Sequence, residues 1–335
     1  MENPTVVFRR PREVVLEDRP VPRPKPGALL IESTLSLISM GTELTILSGE
    51  FPEQSMWANY GRYPFVAGYS NVGRVVDVGE GVEKDWIGTR VATRTPHAAW
   101  VSAPARAAAR IPEAVSDQDA GLFAIATIVM NGIRRGQITW GECVAVFGLG
   151  ILGQLAVRFA ELAGARAVFG IDVADSRIAL LPKSPAIGGL NARRDDLLKS
   201  IRAVNHGRPA DVAFEVTGDP TLLPGEFEVL RRQGRFVVLS SPRGPSNFDF
   251  HDLCNAAGFT IIGAHELTHP SAETLDHPWT HQRHYELFFD LLETGRLEVG
   301  SLVRDHVRYR DAPELYAKLL ADRSAFMAVE LDWRQ

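Results

Sequence analysis

Over its first 118 residues or so the chain carries short apolar runs broken by glycine and proline: ALLIES (28–33), NVGRVVDVG (71–79) and TRVATR (89–94), with Gly79 and Gly81 as turn residues. Runs of this length with turn punctuation predict an antiparallel, loop-rich domain. The stretch RPVPRPKPG (19–27) alternates proline and predicts extended chain, since proline fixes φ and lacks a ladder donor. From about 119 to 267 the rhythm changes. CVAVF (143–147), AVFGI (167–171), DVAFEV (211–216), RFVVL (235–239) and FTIIG (259–263) are near-continuous apolar runs separated by helical patterns. Strands buried on both faces read this way, so the segment predicts a doubly wound parallel sheet. Residues 268–335 add helix-like stretches at about 281–294 and 311–321 and a last strand, AFMAVELDW (325–333). The expected organisation is α/β with two domains: 1–118 with 268–335, and 119–267.

Chemistry enters at the end of the first strand of the second domain. AVFGLGILG (145–153) sets Gly148, Gly150 and Gly153 in G-x-G-x-x-G spacing. The glycines allow a tight turn, close approach of backbone to a pyrophosphate and close packing of helix on strand. Leu152, Leu155, Ala156, Phe159, Ala160 and Ala163 then fall on one helical face. The following strand ends in Asp172, 19 residues beyond Gly153, near the ~20-residue offset of the acid that binds an adenosine ribose. A carboxylate there favours NAD and repels the 2′-phosphate of NADP. The expected cofactor-binding set is Gly148, Leu149, Gly150, Ile151, Leu152, Gly153, Asp172, Val173, Arg177, Thr217, Ser240 and Ala264, with Arg177 either over the adenine or solvated.

Composition narrows the partners. The 335 residues are 45% hydrophobic and carry a formal charge of −5 with no Lys/Arg run, which argues against nucleic acid. The N-terminal MENPTVVFRRPREVVLEDRP interrupts every apolar run with charge, so neither a secretory segment nor a membrane span is expected, and a cytoplasmic location is. The two cysteines, Cys143 and Cys254, suggest no disulfide framework.

With PKPGALLIES, FVAGYSNVGRVVDVGEGVEKDWIGTRV (65–91), VAVFGLGILG and DVAFEVTG (211–218) in order, nearly the whole chain resembles the medium-chain dehydrogenase/reductase superfamily. The resemblance implies a GroES-like β-rich catalytic domain, a Rossmann domain, NAD(H) and a homodimer. Zinc-bearing members place a cysteine before a Gly-Thr-acid triplet and a His-Glu pair after a later glycine. The matching places here read SMGTEL (39–44) and AGYS (67–70), so Met40, or Ser39 on a one-residue slip, replaces the cysteine, and Tyr69 and Ser70 replace the pair. Residues 92–115 hold no cysteine for a structural zinc lobe. The histidines of 263–286 (His265, His269, His277, His281, His284) match no zinc signature. No metal is expected. SMGTE and DRSAFMAVELDW are also similar to a zinc-lacking branch that includes bacteriochlorophyllide dehydrogenase.

Without a metal, protein groups must manage the charge on a reacting oxygen. Thr42 matches the family's substrate-hydroxyl contact and is expected as a relay, or as an ordinary turn residue. Tyr69 can donate to the substrate oxygen, or simply fill space. Glu43 and His265 are the proton-exchange candidates, Glu43 alternatively pairing with an arginine. Specificity is expected from EFPEQSMWANYGRYPF (50–65), through Trp57, Tyr60 and Tyr63, and from Arg94 and His97. The expected function is NAD(H)-dependent oxidation of a secondary alcohol, or reduction of the ketone, on a small-molecule polyol, sugar, cyclitol or other biosynthetic intermediate. The alternatives are a quinone or enone reductase using NAD(P)H, and a cofactor-binding protein without catalysis.

Overall fold

The apolar runs become strands in the computed structural model, which describes residues 2–334. β1 (Pro4–Arg10), β2 (Glu13–Asp18) and β3 (Ala28–Leu37) lead to helices α1 (Met40–Ser48) and α2 (Met56–Tyr60). β4 (Phe65–Val66), β5 (Asn71–Val78), β6 (Arg90–Thr93), β7 (Trp100–Pro104) and β8 (Ala109–Arg110) follow, then α3 (Asp117–Gly121) and α4 (Phe123–Arg135). The alternating part runs β9 (Cys143–Phe147), α5 (Ile151–Leu162), β10 (Ala167–Asp172), α6 (Asp175–Ile178), β11 (Ile187–Asn191), α7 (Leu197–Val204), β12 (Ala210–Glu215), α8 (Leu223–Glu226), β13 (Leu230–Val238) and β14 (Thr260–Gly263). The chain closes with α9 (His281–Glu293), β15 (Val303–Arg308), α10 (Ala312–Ala321) and β16 (Ala328–Asp332).

Two units result, residues 1–125 with 281–335, and residues 126–280. These limits differ from the expected 118/119 and 267/268. The first falls inside α4. The second moves because 268–280 is held in the second unit, where Asn131 Nδ2 donates to Thr268 Oγ1 at 2.7 Å and the Arg134 guanidinium covers the Trp279 ring. In the first unit a sheet runs β15-β16-β3-β5-β6-β8 with β7 also on β3, beside a three-stranded sheet β2-β1-β4. Its core includes Phe8, Leu44, Ile46, Leu47, Tyr316 and Leu331. The second unit is a parallel sheet in the order β11-β10-β9-β12-β13-β14. Strand order reverses beside β9, the place where such sheets bind nucleotides, and Phe227 stacks on Phe236 of β13 at 4.0 Å. No helix among the described residues is long and apolar enough to cross a membrane.

Two of the buried carboxyls, Glu226 and Glu330, are pushed towards the protonated form. Glu226 of α8 has neither oxygen hydrogen-bonded among the described residues. Burial, then the charges of Glu215 and Asp219, push its pKa up to about 9. Glu330 of β16 lies 3.2 Å from His306 Nδ1, and burial followed by Asp119 and Asp117 raises it to about 9. Between the ordinary value of 4.5 and about 9 the folded protein keeps protons that the unfolded chain has released. Stability therefore declines as pH rises through that window. Thermal unfolding of wild type, Glu226→Gln and Glu330→Gln from pH 5 to 9 tests this: each variant should lose less melting temperature, and parallel curves would refute it.

Candidate active site

Helix α1 owes its entry to Ser39, a residue type that usually turns its hydroxyl back onto a first-turn N–H. Ser39 makes no such bond. Its Oγ lies 2.6 Å from the Tyr69 hydroxyl instead. Glu43, one turn along, ties the helix start from the other direction: Oε1 accepts the Ser39 N–H at 2.7 Å. Glu43 Oε2 accepts the Tyr316 hydroxyl and meets His97 Nε2 at 3.1 Å. His97 Nδ1 is 2.7 Å from Ser36 Oγ, which accepts Trp333 Nε1–H at 2.8 Å. With the imidazole protonated on Nε2, each member of this chain has a partner. Glu43 is 1% and His97 0% exposed.

The phenol is the chemically active end of this cluster. Burial raises the Tyr69 pKa to about 12, opposed by hydrogen bonds from Ser39 and Thr42, aided by the Glu43 charge and opposed again by Arg94. Tyr69 is therefore a neutral donor at ordinary pH. Arg94 is held by Tyr285, whose hydroxyl accepts from Nε at 2.9 Å, and by the Ala124 carbonyl at 3.1 Å from Nη2. Ser39, Thr42, Glu43, Tyr69 and Arg94 thus share one neighbourhood.

The residues at the matched zinc positions do not suit a zinc ion. Met40 offers a thioether rather than a thiolate. Tyr69 keeps its proton and is hydrogen-bonded. Ser70 is buried, its hydroxyl donating to the Gly121 carbonyl at 2.7 Å. Structural and catalytic zinc sites take thiolate, imidazole or carboxylate, and these three side chains supply none.

Several expected roles change. His97 is enclosed and braces Glu43, so it is not a substrate contact. Glu43 pairs with His97 and Tyr316 rather than an arginine, and its burial removes it from direct proton exchange with solvent. The segment 50–65 contains α2, which Ser55 caps by accepting from Ala58 N. Within it the Tyr63 hydroxyl donates to the Ile46 carbonyl and Trp57 packs against the apolar core, both structural uses. Tyr60 is about half exposed and lies edge-on to Phe65 at 5.5 Å. His265 belongs to the second unit, where Nδ1 accepts the Leu267 N–H at 3.2 Å as a cap. Reading along the chain missed Ser39 as a partner of Tyr69, and Tyr316 and Ser36 altogether; they come from separate elements and leave no local signal.

In the second unit the glycine loop has the shape its spacing implies. Gly148 has φ +90°, and a Cβ on Gly153 would overlap the Gly148 carbonyl oxygen. Gly150 is the N-cap of α5 and offers no side chain there, which leaves first-turn N–H groups for a phosphate. Asp172 Oδ2 accepts the Leu149 N–H at 2.7 Å, and Oδ1 accepts the N–H groups of Val173 and Ala174 at 2.7 and 2.9 Å. An ionised carboxylate has about four acceptor positions, so one remains for a ribose hydroxyl. Arg177 Nη1 is 3.7 Å away. Thr217 and Ser240 both turn their hydroxyls to Glu215, a fully buried acid whose only trace in the sequence was a charge inside the apolar run DVAFEV. Ala264 continues β14, donating its N–H to the Val238 carbonyl at 3.0 Å. These residues fit a nicotinamide dinucleotide.

The family described as zinc-binding dehydrogenase matches residues 152–277. Sorbitol dehydrogenase of Bacillus subtilis (strain 168) is 24% identical over 271 residues, 70% of this chain and 74% of its own. L-Threonine 3-dehydrogenase of Pyrococcus abyssi is 25% identical over 342 residues, 92% and 93% of the two chains. Galactitol-1-phosphate dehydrogenase from Escherichia coli superposes with a TM-score of 0.82 at 16% identity, covering 99% of this chain and 100% of its own. The fold is that of the medium-chain dehydrogenases/reductases, and the chain is an oxidoreductase. These relatives are named for sorbitol, L-threonine and galactitol-1-phosphate, and they support neither membership of a zinc-lacking branch nor the narrower likeness to bacteriochlorophyllide dehydrogenase, which rested on two short strings.

Removing the Glu43 carboxylate leaves the Tyr316 hydroxyl, His97 and the Ser39 N–H without their acceptor. Leaving a buried donor unsatisfied typically costs about 1–3 kcal/mol, so Glu43→Ala, which strands these donors together, should unfold at clearly lower denaturant. A loss under about 1 kcal/mol in equilibrium unfolding would show that the chain of bonds does not depend on it.

Proposed function

We propose that the chain interconverts a secondary alcohol and its ketone on a polyol- or sugar-like substrate, using NAD(H), with Tyr69 in place of a zinc ion at the substrate oxygen. The carrying observation is the Tyr69 phenol, hydrogen-bonded by Ser39 and Thr42 at the position where zinc-bearing relatives have a ligand. That two of the similar proteins are named for sorbitol and galactitol-1-phosphate supports the substrate class. Gly148, Gly150, Gly153 and Asp172 would hold the cofactor, whose nicotinamide supplies or accepts the hydride.

In the reducing direction the neutral phenol donates a hydrogen bond to the carbonyl oxygen and stabilises the negative charge that grows there. As the oxygen becomes an alkoxide, more basic than a phenolate, the Tyr69 proton passes to it and the alcohol forms. The phenolate is then held by the Ser39 and Thr42 hydroxyls and the nearby Arg94 charge until solvent returns a proton. Alcohol oxidation needs the phenolate first, a form scarce below a pKa of about 12. The oxidation rate should therefore climb with pH towards the alkaline limit of stability, while reduction stays flat to about pH 10. Enone reduction would ask the same of Tyr69, so the substrate panel must separate the two.

The test is NAD-linked turnover with sorbitol, galactitol, myo-inositol and L-threonine, and NADH-linked turnover with 2-cyclohexenone. At least one hydroxy compound should react, and Tyr69→Phe should lower kcat by roughly 100-fold. Chelator should leave the rate unchanged. Turnover of cyclohexenone alone, or stoichiometric zinc with loss of activity on its removal, would overturn the proposal. Cofactor choice has its own check: Asp172→Ser should move the NADH/NADPH affinity ratio towards NADPH by about tenfold or more, the equivalent of about 1.4 kcal/mol. An unchanged ratio in a fluorescence titration would remove Asp172 from that role.

A further inference from the structure

Three helices of the first unit begin at a serine N-cap, and they differ in one respect. Ser55 and Ser116 have ψ of 164° and 156°, and their hydroxyls accept from Ala58 N and Asp119 N in the ordinary way. Ser39 has ψ of 84° and makes no cap bond. Its main-chain N–H is taken by Glu43 Oε1, and its hydroxyl is 2.6 Å from Tyr69 OH. Glu43 is in turn fixed by Tyr316 and His97. A serine that forgoes its cap, next to a carboxylate that does the capping from the far side, leaves one hydroxyl directed at one phenol.

We propose that Ser39 is a positioning residue for proton transfer at Tyr69, and that Glu43 sets it there by holding its main chain. This rests on the reading of Tyr69 given above. Ser39 Oγ–H donates to the phenol oxygen, so the phenol's own hydrogen points elsewhere, to the substrate oxygen. When Tyr69 gives up that proton, the same Ser39 bond strengthens onto a charged oxygen. Thr42 supplies a second such donor from one turn of the same helix. No atom of Ser39 is consumed: the proton leaves Tyr69 for the alkoxide, and solvent replaces it.

Two measurements test this, the first without substrate. Phenolate absorbance near 295 nm, taken as the difference from Tyr69→Phe, gives the Tyr69 titration. Ser39→Ala should move its midpoint up by about one pH unit, the size of one hydrogen bond to a charged oxygen, and Ser39→Thr should restore it. A midpoint that stays or falls overturns the proposal. The second is a double-mutant cycle on the substrate found by the panel. Ser39→Ala should lower kcat about tenfold with KM little changed, and should cost nothing further in a Tyr69→Phe background. Equal losses in both backgrounds would place Ser39's effect elsewhere and sink the idea. Tyr69→Phe at the wild-type rate sinks the reading of Tyr69 itself, whereas a full Tyr69→Phe loss with silent Ser39→Ala sinks this inference alone.

Discussion

A carboxylate with almost no exposure must be met by donors, because removing an unpaired charge from water costs several kcal/mol, and the first unit is arranged around meeting that demand at Glu43. The donors come from widely separated parts of the chain: the Ser39 main chain at the start of α1, His97 before β7, and Tyr316 on α10. Ser36 on β3 and Trp333 beyond β16 extend the same chain of bonds. One consequence is topological. The C-terminal residues that return after the second unit carry Tyr316 and Trp333, so the N-terminal strands and α1 complete their polar interior only when residues 281–335 are in place.

A second consequence is chemical. A buried network that is fully satisfied has few alternative arrangements, which makes it a rigid support for a group next to it. Tyr69 is that group, linked through Ser39. Zinc-bearing relatives hold a cation near the reacting oxygen. Here the corresponding side chains are a thioether, a phenol and a serine hydroxyl turned to backbone. In the proposed reaction a neutral phenol with two hydroxyl neighbours would do part of what a cation does, stabilising a growing negative charge, while also supplying the proton.

The fold was more legible than the site, and for a physical reason. Strands such as Cys143–Phe147 and the helix opening at Ile151 announce themselves through local pattern: an apolar run, three spaced glycines, one apolar helical face. β11 escaped notice because Ile187–Asn191 contains two glycines and only one buried residue, Asn191. Helix α1 escaped because Gly41 and Thr42 disguise its first turn, and only its burial against the apolar core makes nine residues sufficient. In the site, Thr42, Glu43 and Tyr69 were visible because they stand at recognisable motif positions. Their partners were not. Whether a histidine faces solvent or a carboxylate depends on contacts between residues 43 and 97, or 43 and 316, and no window along the chain contains both.

Asp172 and Glu43 solve related problems in the two units. Each is a nearly buried carboxylate that accepts main-chain N–H groups at an element boundary: Glu43 at the start of α1, Asp172 at the end of β10 and across to the glycine loop. For Asp172 this means cofactor choice and loop shape are not independent. The Leu149 N–H that it accepts belongs to the glycine turn, so the acid proposed to meet the ribose also sets the loop. Three of its roughly four acceptor positions are already used, which leaves room for one hydroxyl donor and none for the negative charge of a phosphate. Under the proposed reading, selectivity for the unphosphorylated coenzyme would follow from how the loop is held as much as from simple repulsion, and a neutral side chain at 172 would have to rebuild the turn as well as remove the charge.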